Sequence, residues 1–250
     1  MTSPALRHRQ KVLAAHAAPA SQRTAVAAPA PEGPVDPAAR NEQAALVAVL
    51  HENLRTLADI ASHEQRQPKK LDYARQFRPW IDGLLQADQP VQDEVLVTNF
   101  IWALDYRDFD FALQLARFIL AHGLALPERF SRTPACYLAE EVATVALTMH
   151  AEVPHEVLLD VSQLVEGADM PDQVAAKLKK ATGRSWLKRA EDFDPAADNA
   201  PAGGALAYVE QALADLQRAL GLDAQAGVKK DIQRAESLQK KLTANAGEQQ

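Results

Sequence analysis

The chain has 250 residues, 47% of them apolar, and a formal net charge of −6, so it can bury one sizeable core or two small ones and is too apolar for wholesale disorder. Its longest charge-free apolar stretch, Val95 to Leu104, is far shorter than the roughly 20 residues a membrane helix needs, so no spanning helix is expected. Cys136 is the only cysteine, which excludes an intrachain disulfide and cysteine-based metal ribbons and fits a reducing compartment.

Read in chain order, the N-terminus does not pass for a signal peptide, because Arg7, Arg9 and Lys11 are followed by Ala-Pro repeats instead of a Leu-rich run. A short helix is expected over 5–16. Pro19, Pro29, Pro31, Pro34 and Pro37 then favour an extended tether over 17–37. From Asn41 to His63 the spacing of Leu46, Val49, Leu50, Leu54, Leu57 and Ile60 predicts an amphipathic helix, with Gln67-Pro68 ending it. Tyr73, Phe77, Trp80, Ile81, Leu84 and Leu85 form a second apolar face, in which Pro79 should end or kink the helix.

Helices are predicted over 91–106 and 109–122, joined by an acidic turn at 105–110, with Gly123 as a stop. Thr133 followed by Pro134 reads as a cap and first helical position, opening a helix to about Ala151. Two more are expected over 154–165 and 171–182, the second closed by Gly183, and a final pair over 205–220 and 228–242. This divides the chain into a flexible basic arm and Ala/Pro linker at 1–37, a helical core at 38–190, a linker at 191–204, a C-terminal helical hairpin at 205–243 and a disordered tail at 244–250. The fold class is all-α, since Val, Ile and Thr never form alternating runs. Two hairpins, marked by Leu104, Ala112, Ala116 and Pro127 and by Leu206, Ala219, Leu222 and Ala226, have a tetratricopeptide-like small and large pattern. They lie roughly 100 residues apart, too far for a repeat of about 34.

Charge is segregated. Residues 1–31 carry Arg7, Arg9, Lys11 and Arg23 without one acid, and Ala175 to Ala190 carries Lys177, Lys179, Lys180, Arg184, Lys188 and Arg189, again without one. Arg66, Lys69, Lys70, Arg75 and Arg78 make a third cluster against Asp72. Lys177, Lys180, Arg184 and Lys188 recur every three or four residues and would share one helical face if the helix ran past Gly183. Phosphate contacts ask only for mobile positive charge, so Arg7, Arg9, Lys11 and this face are the candidate DNA-binding residues. A solvated surface explains the same residues equally well.

The stretch Trp102 to Ala143, with Ala168 to Val174, Ala176 to Leu178, Ala226 to Ile232, the opening Met1 to Ala5 with Arg7-His8, Phe77 to Gly83 and the Asp93 to Leu96 run, resembles the gpM-type small terminase subunits of temperate contractile-tailed phages. The resemblance implies a DNA-packaging protein in the cytoplasm of the bacterial host, without a membrane partner. Its implied partners are phage genomic DNA at the cohesive-end region, a large ATPase subunit and further copies of itself. Such subunits are described as the endonuclease subunit of terminase, so a nuclease site is sought.

Mg²⁺-dependent cleavage needs converging carboxylates, and the weak catalytic candidates are Asp105, Asp108, Asp110 and Glu140. Helix capping accounts for the three aspartates more readily than metal binding does, and Glu140 and Glu141 point about 100° apart on a helix. No cofactor-binding motif is present, and Mg²⁺ is implied only where cleavage occurs. The histidines form no HNH or HExxH pattern, and no Walker loop is present, so an ATP-driven motor belongs to another chain. A helical-hairpin adaptor that binds only protein is the alternative reading.

Overall fold

Every residue described in the computed structural model, 36–148, 153–194 and 204–247, belongs to an all-helical architecture or its connecting turns. The described helices are α1 (Pro37–Ala58), α2 (His63–Ala87), α3 (Glu94–Asp105), α4 (Phe109–Ala121), α5 (Pro134–Thr148), α6 (His155–Leu164), α7 (Asp172–Glu191), α8 (Gly204–Leu222) and α9 (Lys229–Gly247). The expected helix over 5–16, with Arg7, Arg9 and Lys11, lies outside the described residues, as do most of the Ala/Pro tether and 195–203 of the second linker.

Short polar side chains set the starts. Asp36, Ser62, Asp93 and Asp108 each accept a hydrogen bond from a backbone N–H in the first turn of the helix they precede, at 3.2, 3.3, 2.8 and 3.1 Å. Thr133 does the same for Cys136, 3.2 Å away, with Pro134 at the first helical position as expected. After α4, Gly123 takes φ +64°, a left-handed conformation that costs glycine nothing, and the helix ends there.

Three positions where a helix end was expected, at Pro79 an end or a kink, are not helix ends. Pro68 and Pro79 both sit inside α2, and α1 ends earlier, at Asp59. Each proline removes one backbone donor, but the apolar stripe of Phe77, Ile81 and Leu84 is buried or half-buried against the core on either side of Pro79, and that packing outweighs the lost bond. Gly183 likewise does not close α7. It lies in its interior, where an added Cβ would come within 2.8 Å of Leu216 Cγ and 3.2 Å of the Ala212 carbonyl oxygen, so the glycine admits α8 at close range. At the other end, α9 continues to Gly247, past the expected fraying point at Thr243.

The first core gathers α1 to α6 and the N-terminal half of α7. Phe77, Ile81, Leu96, Phe100, Leu115, Ile119 and Leu138 are all fully buried in it, and Cys136 is a small buried side chain beside them. At its centre Asp93, also fully buried, binds three helices with one carboxylate: Oδ1 caps α3, while Oδ2 accepts from Gln43 Nε2 of α1 (2.7 Å) and Trp80 Nε1 of α2 (3.0 Å). A second set of buried residues, Leu187, Ala190, Val209, Ala212, Leu213 and Ala235, joins the C-terminal half of α7 to α8 and α9. The C-terminal hairpin therefore packs on α7. Both hairpins expected from the small and large spacing form, α3–α4 and α8–α9, but α5, α6 and α7 intervene between them and they build no tetratricopeptide array.

Candidate functional site

Three of the four candidate carboxylates are engaged locally. Asp105, at the end of α3, is ion-paired with Lys70 of α2, both half-buried. Asp108 caps α4, and Asp110 is exposed in the first turn of that helix. Glu140 on α5 is ion-paired with Arg132. Among the described residues no group of three His, Cys, Asp or Glu side chains is placed to hold a metal ion. The carboxylates named from the sequence thus do not fit a Mg²⁺ centre on their own.

Glu141, set aside in the sequence because it points about 100° away from Glu140, sits in the more telling environment. Burial, and next the charge of Asp105, push its carboxyl above the ordinary range, with Lys177 and Arg132 opposing. Tyr137, one turn earlier, is pushed up for the same leading reason, burial, and then by Glu141 and Asp105. Nothing in the local sequence shows this, because Asp105 approaches from another helix.

The basic face of α7 runs past Gly183, as its spacing requires, yet three of its four cations bond within the chain. Lys177 Nζ donates to Thr144 Oγ1 (2.7 Å), Lys180 Nζ to the Ala226 carbonyl (2.7 Å) and Arg184 Nε to Asp231 Oδ2 (2.8 Å). Lys179–Asp215 and Arg189–Glu156, both at 2.9 Å, add further ties to α8 and α6. Burial and the neighbouring Arg184 hold the Lys180 ammonium below its ordinary pKa, against Asp231. Lys188 is exposed, and with Arg184 and Arg234 it lines a cleft of about 550 Å³ that also contains Asp231 and Ser185.

A second cleft, of about 560 Å³, opens in the first core. Leu54 and Leu57 of α1, Trp102 of α3, Phe130 and Tyr137 form its apolar wall, and Arg66, Lys70, Arg129 and Asp105 its charged lining. In the sequence Arg66 and Lys70 stood only as members of a basic cluster; their i, i+4 spacing, which puts both on one helix face, is the signal that could have paired them. Lys69, between them, is exposed, and Arg75 pairs with Asp72 at 3.3 Å.

Helices without a strand among the described residues, carrying two clefts whose cations outnumber their acids, define an all-helical protein with cation-rich clefts. Comparison with known proteins narrows this class. The family described as "Phage small terminase subunit" matches residues 47–173. The "Terminase, endonuclease subunit" of Escherichia phage P2 is 39% identical over 239 residues, covering 94% of this chain and 85% of that protein. No solved structure matches. The chain belongs to the family of phage small terminase subunits, and its general role is in phage DNA packaging. The family match takes in most of the first core and its whole cleft, and stops at the first turn of α7. No described helix is long and apolar enough to cross a membrane.

Proposed function

We propose that this chain is the DNA-recognition subunit of a packaging terminase: it binds the cohesive-end region of the phage genome and directs its cleavage together with a large ATPase subunit. The observation that carries this is the 39% identity, over nearly the whole chain, to a protein named as the endonuclease subunit of a terminase. It works in the cytoplasm of the bacterial host, as a homo-oligomer. Lys188 and Arg184 at the end of α7, and the arm residues Arg7, Arg9 and Lys11, supply the phosphate contacts, and Lys177 and Lys180 hold the helix that presents them. Mg²⁺ enters with the assembled complex, a reading supported by the engagement of Asp105, Asp108 and Glu140 in a cap and ion pairs.

The test is a gel-shift titration of the full chain on joined cohesive-end DNA against a scrambled duplex, with Mg²⁺ present and the products run on a denaturing gel. Preferential binding without strand breaks supports a recognition subunit whose cleavage needs the large partner. Nicks made by this chain alone would transfer the nuclease to it. A second reading, an adaptor that binds only protein, draws on the internal bonding of Lys177, Lys180 and Arg184; it is excluded if affinity for duplex falls steeply between about 50 and 200 mM salt.

A further inference from the structure

The cleft of the first core has a composition that capping and core packing do not require. Lys70 is balanced by Asp105, which leaves Arg66 and Arg129 as surplus positive charge at an apolar wall. Arg66 is fixed there by donating from Nε to the Ile60 carbonyl at 2.5 Å. Arg129 is exposed, has no ion pair among the described residues, and stands 5.0 Å from the Phe130 ring centroid. Phe130 is half-buried and held edge-on by Tyr137, with centroids 5.3 Å apart. Arg129 and Phe130 thus form one platform, the guanidinium lying over the aromatic ring and the ring held by Tyr137.

A ligand that uses all of this is anionic at one end and flat and apolar at the other, with an N–H to give to Asp105. An acidic peptide or a fatty acid would find the cations but would set its carboxylates against Asp105. A nucleotide meets every requirement, because its phosphate pairs with guanidinium, its base stacks on aromatic or arginine planes, and its exocyclic amine donates to a carboxylate. The volume, about 560 Å³, falls within the roughly 300–1,000 Å³ of small-molecule sites.

We infer that this cleft binds a single unpaired nucleotide of a DNA strand, its base on the Arg129–Phe130 platform, its phosphate at Arg66 and Arg129, and Asp105 accepting from the base. This is a site apart from the α7 cations invoked for duplex binding, and it holds for a nucleotide whatever those cations do.

The experiment measures anisotropy of the full chain with a labelled ten-nucleotide single strand and, separately, a blunt 20-base-pair duplex. In the double variant Arg129→Ala/Phe130→Ala, single-strand affinity is expected to fall about tenfold or more, the loss of one stacked base, while duplex affinity changes less than about twofold. A free deoxynucleoside monophosphate should displace the strand from the unmodified chain, and inorganic phosphate at the same concentration should not. Equal losses on both DNAs, no loss on either, or displacement by phosphate alone or by an acidic peptide in place of the nucleotide would overturn the assignment. Arg129→Glu, which leaves the ring in place, repeats the measurement should the double variant melt early. A chain that binds the strand but no duplex would sink the recognition reading above and leave the nucleotide site standing.

Discussion

Around α3 the helices are held apart by bulk. Phe77, Phe100, Leu96 and Ile119 are fully buried there, and Tyr73 and Phe77 each place a ring centroid 6.4 Å from that of Trp102. Between α7 and α8 the helices are held together by the lack of it, with Gly183 set against Leu216 and Ala212, and Ala190, Ala219 and Ala235 buried nearby. The first region buys its specificity with one polar node, Asp93, and the second with peripheral ion pairs such as Lys179–Asp215 and Arg184–Asp231. A core filled by large rings can absorb small changes in shape, whereas a close crossing is defined by a methyl group that is missing.

The largest effect should come from the polar node. Asp93→Ala leaves the α3 N-terminus uncapped and strands Trp80 Nε1 and Gln43 Nε2, and is expected to cost about 2–4 kcal/mol. Denaturant unfolding should show this loss, and hydrogen exchange should place it in α1 to α4; protection lost first in α8 and α9 would contradict the division into two regions. Next comes Gly183→Ala, where overpacking of roughly 1–3 kcal/mol is partly offset by about 1 kcal/mol of helix propensity. A net destabilisation near 1 kcal/mol is expected, with exchange rising in α8 and α9 while α3 stays protected. A stabilised variant would show that the crossing is looser than the 2.8 Å approach implies.

The smallest effect is electrostatic. Because burial raises the Glu141 pKa in the folded chain, the native state keeps that proton where the unfolded chain has released it. The stability this provides is complete below the ordinary carboxylate range and is lost as pH rises through the raised value. Glu141→Gln should therefore raise the melting temperature at pH 7 by about 1 °C, and the gain should vanish in acid. A gain that persists unchanged below the carboxylate range would mean that packing, and not charge, is responsible.

Much of this was written locally in the chain. Thr133-Pro134, Asp93, Asp108 and Gly123 mark helix ends by chemistry that acts within one turn, and the apolar spacing of each segment from α1 to α9 gave its helix. What local signals misreported were Pro68, Pro79 and Gly183, where the deciding partner is distant in sequence: the first core in one case, Leu216 in the other. The site was less legible for the same reason. Lys177, Lys180 and Arg184 read as a free basic stripe until Thr144, the Ala226 carbonyl and Asp231 are brought to them by α5 and by the turn and helix after α8. The environment of Glu141 depends on Asp105, 36 positions earlier. Arg66 and Lys70 could be paired by spacing, but no pattern in the sequence joins them to Arg129 and Phe130 across two intervening helices.

α7 has one further implication. It is a single 20-residue helix, about 30 Å long, with Val174, Leu178 and Ala181 in the first core and Leu187 and Ala190 in the second. Such a rod acts as a lever whose fulcrum lies where Gly183 meets Leu216. A tilt of about 10° about that point moves the far end, about 12 Å away at 1.5 Å per residue, by about 2 Å. Lys188 and Arg189 ride on that moving end. The position of the charges that α7 presents is thus tied mechanically to how Val174, Leu178 and Ala181 seat in the first core.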